Sequence, residues 1–445
     1  MADEDEHLAY DGDDITDEKS NHDISEAPQA QPEVMDRHAQ LEEVKAQQII
    51  DACRRRDLEA LQALAESPGG FIRDELRHQA WPILLGLPVR LPSDDDQKVS
   101  GTSHEQVRLT ASEYVDDSWK SLQPHKEEEQ VKLDVARAFV YYPHYESAQE
   151  LAHQKQELSD LILSVLRRHP YLCYFQGYHD ICQVFLLVLP QSLRSPAVAR
   201  LSALRIRDFM LPTLSAAISQ LHLIPEILRA ADPRLAAHLP LHSDPFFALS
   251  GTITMYAHDV QSLNEITRLF DVLLAAEPVF SVYVFAQIVI SRRDELFALP
   301  HAEPEILHSV LSKLPQPLGA DVLVTDARAL LAAHPPEQLP SWRSRVSPHS
   351  VLKTARSLRG CAGQSLAVGE YFFGRQMAEM RREERREKVQ RLLWRYRGPA
   401  RAVGVAVAFG VLAYWVRRSA VSGGVAAGPV RYMTALVSAW LQEPF

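Results

Sequence analysis

Cysteine is scarce. Cys53, Cys173, Cys182 and Cys361 are the four in 445 residues, and they form neither a metal-ligand spacing nor the framework of a small disulfide scaffold. Cys173 and Cys182 lie in apolar surroundings, where a thiol acts as a small hydrophobe, and the body reads as facing a reducing cytosol. The N-terminus is acidic and has no apolar h-region, so no signal peptide is expected. Alternating strand patterns bounded by hairpin turns are few, and no repeat of fixed period is present. No GxxxxGK[ST] loop occurs, so the chain has no phosphate-cradling loop of that kind. Charge of one sign is missing from the body too. Residues 1–36 hold thirteen Asp/Glu against Lys19 alone, leaving 46 basic and 45 acidic residues in the remainder of a chain whose net charge is −11. No nucleic-acid partner is expected.

What is present is helical pattern. The acidic start, with blocks such as DEDE and DGDD, buries too little apolar surface to offset its ordering entropy, so residues 1–45 read as a disordered tail. From about Leu41 the apolar period turns helical. Ile266, Leu269, Phe270, Leu273 and Leu274 share one face, as do Leu158, Leu161, Ile162, Val165 and Leu166. Segments 199–210 and 279–290 also predict helix, with Pro190, Pro212, Pro225, Pro233 and Pro278 as punctuation. The fold class is all-α, with a body over 46–315 and a linker or helical extension over 316–374.

Residues 375–401 carry ten Arg/Lys against four Glu and predict a basic helix. AVGVAVAFGVLAYWV (402–416) follows, flanked by Arg401 and by Arg417 and Arg418. Fifteen apolar residues span roughly 22 Å of helix against a hydrocarbon core of about 30 Å. Snorkelling arginines, the Tyr414-Trp415 edge and a thin bilayer close that gap. Residues 402–418 are therefore expected to cross a membrane, with the body on the cytosolic side by the positive-inside rule. Residues 419–445 read either as a tail or as the return limb of a shallow hairpin.

Two stretches carry candidate chemistry. VKLDVARAF (131–139) places Asp134 and Arg137 three apart on a helix face, where an ion pair is the plain reading. PYLCYFQGYHDI (170–181) crowds tyrosines, Gln176, Gly177 and a His-Asp pair into a joint between two helices. Together, one arginine and one glutamine suit hydrolysis of a nucleoside triphosphate held by another protein. Arginine meets developing phosphate charge, and an amide that both donates and accepts orients the water.

In these motifs the chain resembles the TBC-domain Rab GTPase-activating proteins. IRDELRHQAWPILLG (72–86) is similar to the family's opening block, with Arg77 and Trp81 in place. VKLDVAR matches IxxDxxR, YFQ (174–176) matches YxQ, and FALSGTITMYAHDVQSLNEITRLFDVLLAAEP (247–278) resembles a later block. Ala138 departs from a threonine common after the arginine. The resemblance spans roughly 70–300. It implies that Arg137 and Gln176 are catalytic fingers, that Asp134 positions Arg137 and Trp81, and that Tyr174 and Gly177 shape the turn presenting the glutamine. The turn gives Gly177 a role that needs positive φ or close approach. Arg77 and Trp81 are supporting residues.

The resemblance also implies a GTP-bound Rab partner that carries the GTP and Mg²⁺, so no cofactor or metal of the chain's own is expected. DVARAF with YFQGYHDI is most similar to a branch anchored in the endoplasmic reticulum membrane by a C-terminal segment and acting on ER-to-Golgi traffic. Two alternatives stand beside this reading. One is a non-catalytic, membrane-tethered GTPase-binding scaffold. The other is an HD-type metal-dependent phosphohydrolase built on His179 and Asp180.

Overall fold

The structure, a computed structural model, describes residues 32–90, 108–109, 117–241 and 244–421. By its contacts the chain divides into Met1–Gln48 and Ile49–Phe445. Residues 32–45, expected to be disordered, are helical, within the helix Pro32–Arg55. The run VMDRHAQLEEVKAQQ is rich in good helix formers, and that local propensity outweighs the acidity of the preceding stretch. The acidic blocks DEDE and DGDD lie outside the described residues, as do residues 422–445.

The larger unit is all-α, apart from a two-residue antiparallel pair in which Val89 faces Leu109. Its centre is built from the faces read in the sequence. Ile266, Leu269, Phe270 and Leu274 are buried on the helix Leu263–Ala275, and Leu158, Ile162, Val165 and Leu166 on the helix Ala148–Arg168. Three rings join three helices. Trp81 on Asp74–Leu84 lies 5.5 Å from Phe185 on Tyr178–Val188 and 6.0 Å from Phe270, and Phe185 lies 5.9 Å from Phe270. Tilted aromatic packing of this kind adds to the burial of three large side chains.

Beside the ring cluster lies a buried polar knot. Asp271 accepts from Arg77 Nε at 3.0 Å, Arg77 Nη2 at 3.1 Å, Trp81 Nε1 at 2.8 Å and the Phe71 amide at 2.9 Å. A fully buried carboxylate is tolerable only with such a complement of donors. The sequence reading, in which Asp134 positions Trp81, is thus corrected: the indole N–H is committed to Asp271, 190 residues further along.

The helix expected over 199–210 ends at Leu204. Residues 205–210 turn instead, and Arg205 Nη1 donates to the Ala276 carbonyl at 2.8 Å, satisfying the end of Leu263–Ala275. Residues 316–374 are helical and packed on the body: Ala320–Ala333 lies along Phe280–Ser291, and Arg356 pairs with Glu277 at 2.7 Å.

The basic run and residues 402–418 are parts of one helix, Leu366–Val421, which bends by 50° between Leu366–Gly398 and Arg401–Trp415. Its root is held: Gln376 Nε2 donates to the buried Asp208 at 2.8 Å, and Asp208 also takes bonds from Gln220, Ser350 and the Val351 amide. Among the described residues no single helix is long and apolar enough to cross a membrane, although the two limbs of this bent helix meet the length and composition together.

Candidate functional site

An open cleft of about 590 Å³ is lined by residues from four parts of the chain. Arg137 to Tyr142 follow the helix Glu128–Ala136. Phe175, Gln176 and Gly177 precede Tyr178–Val188, whose His179, Asp180 and Gln183 face in. Leu214 comes from the turn before Ser215–Leu221, and Phe246, Ser250, Thr254 and His258 from 246–258. Arg137 and Gln176 are thus brought to one opening from positions that the sequence separates by about forty residues.

Arg137 sits just beyond the C-terminal end of its helix and is 65% exposed at the side chain. Its guanidinium pairs with Asp134, which is fully buried. Asp134 is in turn fixed by Gln130 Nε2 at 3.0 Å and by the Tyr174 hydroxyl at 2.9 Å. The carboxylate therefore has three donors, one of which is an exposed arginine. The Tyr174 hydroxyl also lies 3.3 Å from His179 Nδ1. Burial and the neighbouring Asp134 charge push the phenol far above its ordinary range, so it remains a donor at all physiological pH.

Gln176 stands on the other wall, exposed, and its side chain has no hydrogen-bond partner among the described residues. The chain leaves it through Gly177 at φ +94°, which caps Tyr178–Val188. A Cβ on Gly177 would stand 2.5 Å from Thr254 Cγ2. Both positive φ and close approach therefore apply at this glycine. Gln176 lies one residue before the N-cap of Tyr178–Val188, so the positive end of that helix's dipole favours negative charge beside its amide.

The wall below is stiffened by Gln183. Its Oε1 accepts from the Phe139 amide at 3.0 Å and its Nε2 donates to the Tyr142 carbonyl at 2.9 Å, while Phe139 holds φ +65°. The segment after Arg137 is therefore locked to the helix after Gln176 through one buried amide. At the rim, His258 Nδ1 is 2.8 Å from Asp180 Oδ2, and His179 Nε2 is 3.3 Å from Asp180 Oδ1. The bond to Asp180 raises the His258 pKa, while burial lowers that of His179.

Of the residues singled out from sequence, Arg137, Gln176 and Gly177 line the cleft, and Asp134 and Tyr174 stand behind it. Arg77 and Trp81 do not line it and belong to the Asp271 knot. Sequence reasoning missed Asp271, Gln183, Thr254 and His258 as partners. For Asp271 and Gln183 the only signal was polar character inside an apolar helical run, as with the aspartate of RLFD, while Thr254 and His258 lie in the turn after Leu249–Ile253. Among the described residues no three His, Cys, Asp or Glu side chains converge as a metal site.

Residues 74–297 match the Rab-GTPase-TBC domain family. The chain belongs to that family and is a Rab GTPase-activating protein acting through this domain. It is 33% identical over 332 residues to the GTPase-activating protein gyp10 of Schizosaccharomyces pombe, covering 74% of this chain and 82% of the relative. To the human TBC1 domain family member 20 it is 32% identical over 302 residues, 68% of this chain and 69% of that one. Among solved structures, the crystal structure of the Ypt/Rab-GAP domain of Gyp1p aligns with a TM-score of 0.47 at 16% identity, over 62% of this chain and 93% of that one.

Proposed function

We propose that the domain stimulates Rab GTP hydrolysis by two fingers in trans, Arg137 on the transition-state charge and Gln176 on the attacking water. The observation that carries this is their placement on one cleft in complementary states. Arg137 is exposed yet aimed by a buried carboxylate, and Gln176 is exposed with its amide uncommitted. A nucleotide brought to the opening on a GTPase, with its Mg²⁺, meets the guanidinium from one wall. From the other it meets an amide that accepts a water proton and donates in the same geometry. Asp134, held by Tyr174 and Gln130, positions the arginine, and Gly177 sets the direction of the glutamine. Arg77 and Trp81 support the body through Asp271.

The membrane setting is part of the same proposal. The DVARAF and YFQGYHDI resemblance, together with the basic run and residues 402–418, supports attachment to the endoplasmic reticulum membrane, a cytosolic catalytic domain and a Rab of ER-to-Golgi traffic.

Single-turnover GTP hydrolysis by a panel of Rabs, with the full chain in detergent, tests the mechanism. Arg137→Ala is expected to remove about 10³-fold or more of the acceleration, and Gln176→Ala a large part of it. Acceleration that survives both substitutions overturns the two-finger reading. Rab binding without acceleration by the unmodified chain favours a scaffold instead.

A further inference from the structure

Beyond the packed root of Leu366–Val421, the carboxylates are confined to one side of the helix. Arg382, Arg385, Arg386, Val389, Leu392, Leu393 and Tyr396 succeed one another at steps of three, one, three, three, one and three, which lays them along a single stripe. No carboxylate falls on that stripe: Glu383, Glu384 and Glu387 lie on the opposite side among Lys388, Arg391 and Arg395, where Glu387 pairs with Arg391 at 3.1 Å. Every one of these side chains is exposed, Leu393 at 66% and Tyr396 at 56%.

A solvated helix would keep leucine and tyrosine off its surface and would have no reason to keep every carboxylate off the face that carries them. A partner helix would be met by a continuous apolar seam, not by one whose N-terminal third is arginine. An anionic lipid surface asks for this arrangement: guanidinium groups at the phosphates, apolar side chains in the acyl boundary, carboxylates turned away. The direction also fits, because the apolar part of the stripe is the part nearer residues 402–418.

We propose that the Arg382–Tyr396 stripe is a docking face for anionic phospholipid. The helix is rooted in the body through Gln376–Asp208 and by Phe373 packed 5.1 Å from Tyr171, so the bound face fixes how the catalytic cleft is carried over the membrane. This deepens the membrane reading of residues 402–418 and rests on it.

The four native cysteines are buried, so a single surface cysteine takes an environment-sensitive fluorophore selectively. Full-length protein labelled at Leu392→Cys or at Glu387→Cys is reconstituted into phosphatidylcholine vesicles with or without phosphatidylserine. The expected result is a blue shift at position 392, not at 387, that requires phosphatidylserine and is lost in Arg382→Gln/Arg385→Gln/Arg386→Gln. Equal signals at both positions, indifference to phosphatidylserine, or a blue shift at 392 without vesicles as protein concentration rises would overturn it, the last by assigning the face to self-association. Flotation with pure phosphatidylcholine vesicles in 1 M salt reports separately on residues 402–418. Protein that floats there yet gives no blue shift at 392 on phosphatidylserine vesicles in low salt keeps the anchor and loses the lipid face, whereas protein released by salt loses the anchor.

Discussion

Asp134 is fully buried directly behind the exposed guanidinium of Arg137, three residues along, and the Tyr174 hydroxyl reaches the same carboxylate at 2.9 Å. The arrangement joins the two motifs physically. Tyr174 lies two residues before Gln176, so one carboxylate registers both finger-bearing segments. Asp134→Asn keeps the shape and removes the charge that aims the arginine. Rab binding is expected to persist while single-turnover acceleration falls about 10- to 100-fold, the equivalent of losing one charged hydrogen bond of roughly 1.5–3 kcal/mol. Tyr174→Phe should give a smaller loss, because the Gln130 and Arg137 donors remain. A variant in which acceleration is unchanged would show that Arg137 needs no aiming.

Gly177 separates direction from chemistry. A methyl there meets both the positive-φ penalty, about 1–2 kcal/mol, and Thr254 Cγ2 at 2.5 Å. Gly177→Ala is expected to cost more in GTPase activation than in thermal stability, because the strain is relieved most easily by turning the exposed Gln176. Thr254→Ser deletes the clashing methyl while keeping the hydroxyl that donates to the Ser250 carbonyl. The double variant should recover part of the activity. No recovery at all would place the whole effect in the backbone.

Asp271 predicts the opposite pattern. Removing it as Asp271→Ala leaves the buried Arg77 guanidinium with Asp74 as its one carboxylate partner and the Trp81 indole without its acceptor, a cost of about 3–5 kcal/mol. Denaturant unfolding should show a large drop in midpoint. At temperatures where the variant remains folded, acceleration per folded molecule should be close to normal, since the knot does not line the cleft. A specific loss of acceleration at full folding would move Asp271 into the functional machinery.

The contrast between these sites marks what the sequence carries. Apolar period locates Leu263–Ala275 and Ala148–Arg168 because burying one face imposes it, and Gly177 is legible because few residues serve such a turn. Arg137 and Gln176 are legible only as members of a motif pair. Their shared cleft depends on Gln183 bonding to the backbone at Phe139 and Tyr142, contacts more than forty residues long that leave no local trace. The partner of Trp81 was misassigned for the same reason. Asp134 and Asp271 are both buried aspartates in helical runs, and only the tertiary packing distinguishes them. The turn at 205–210 escaped because Arg205, Arg207 and Asp208 are buried polar residues whose partners lie in other elements.

The rim of the cleft carries a pH dependence of determinable sign. His258 holds a raised pKa from its bond to Asp180, so its contribution to stability is fully present below the ordinary imidazole value of about 6.5 and is lost as pH rises through the raised folded value. His179 runs the other way. Burial lowers its pKa, so the folded protein resists a proton that the unfolded chain accepts, and stability declines as pH falls through and below the imidazole range. Comparison with His258→Asn isolates the first effect. The thermal midpoint of the unmodified protein should exceed that of the variant at pH about 6, with the gap closing toward pH about 8 and narrowing in high salt. The His258 side chain is 56% exposed, so the gap is small and screened. A difference that stays constant across that interval would mean that His258 holds Asp180 as a neutral hydrogen-bond donor, and that the rim does not titrate with it.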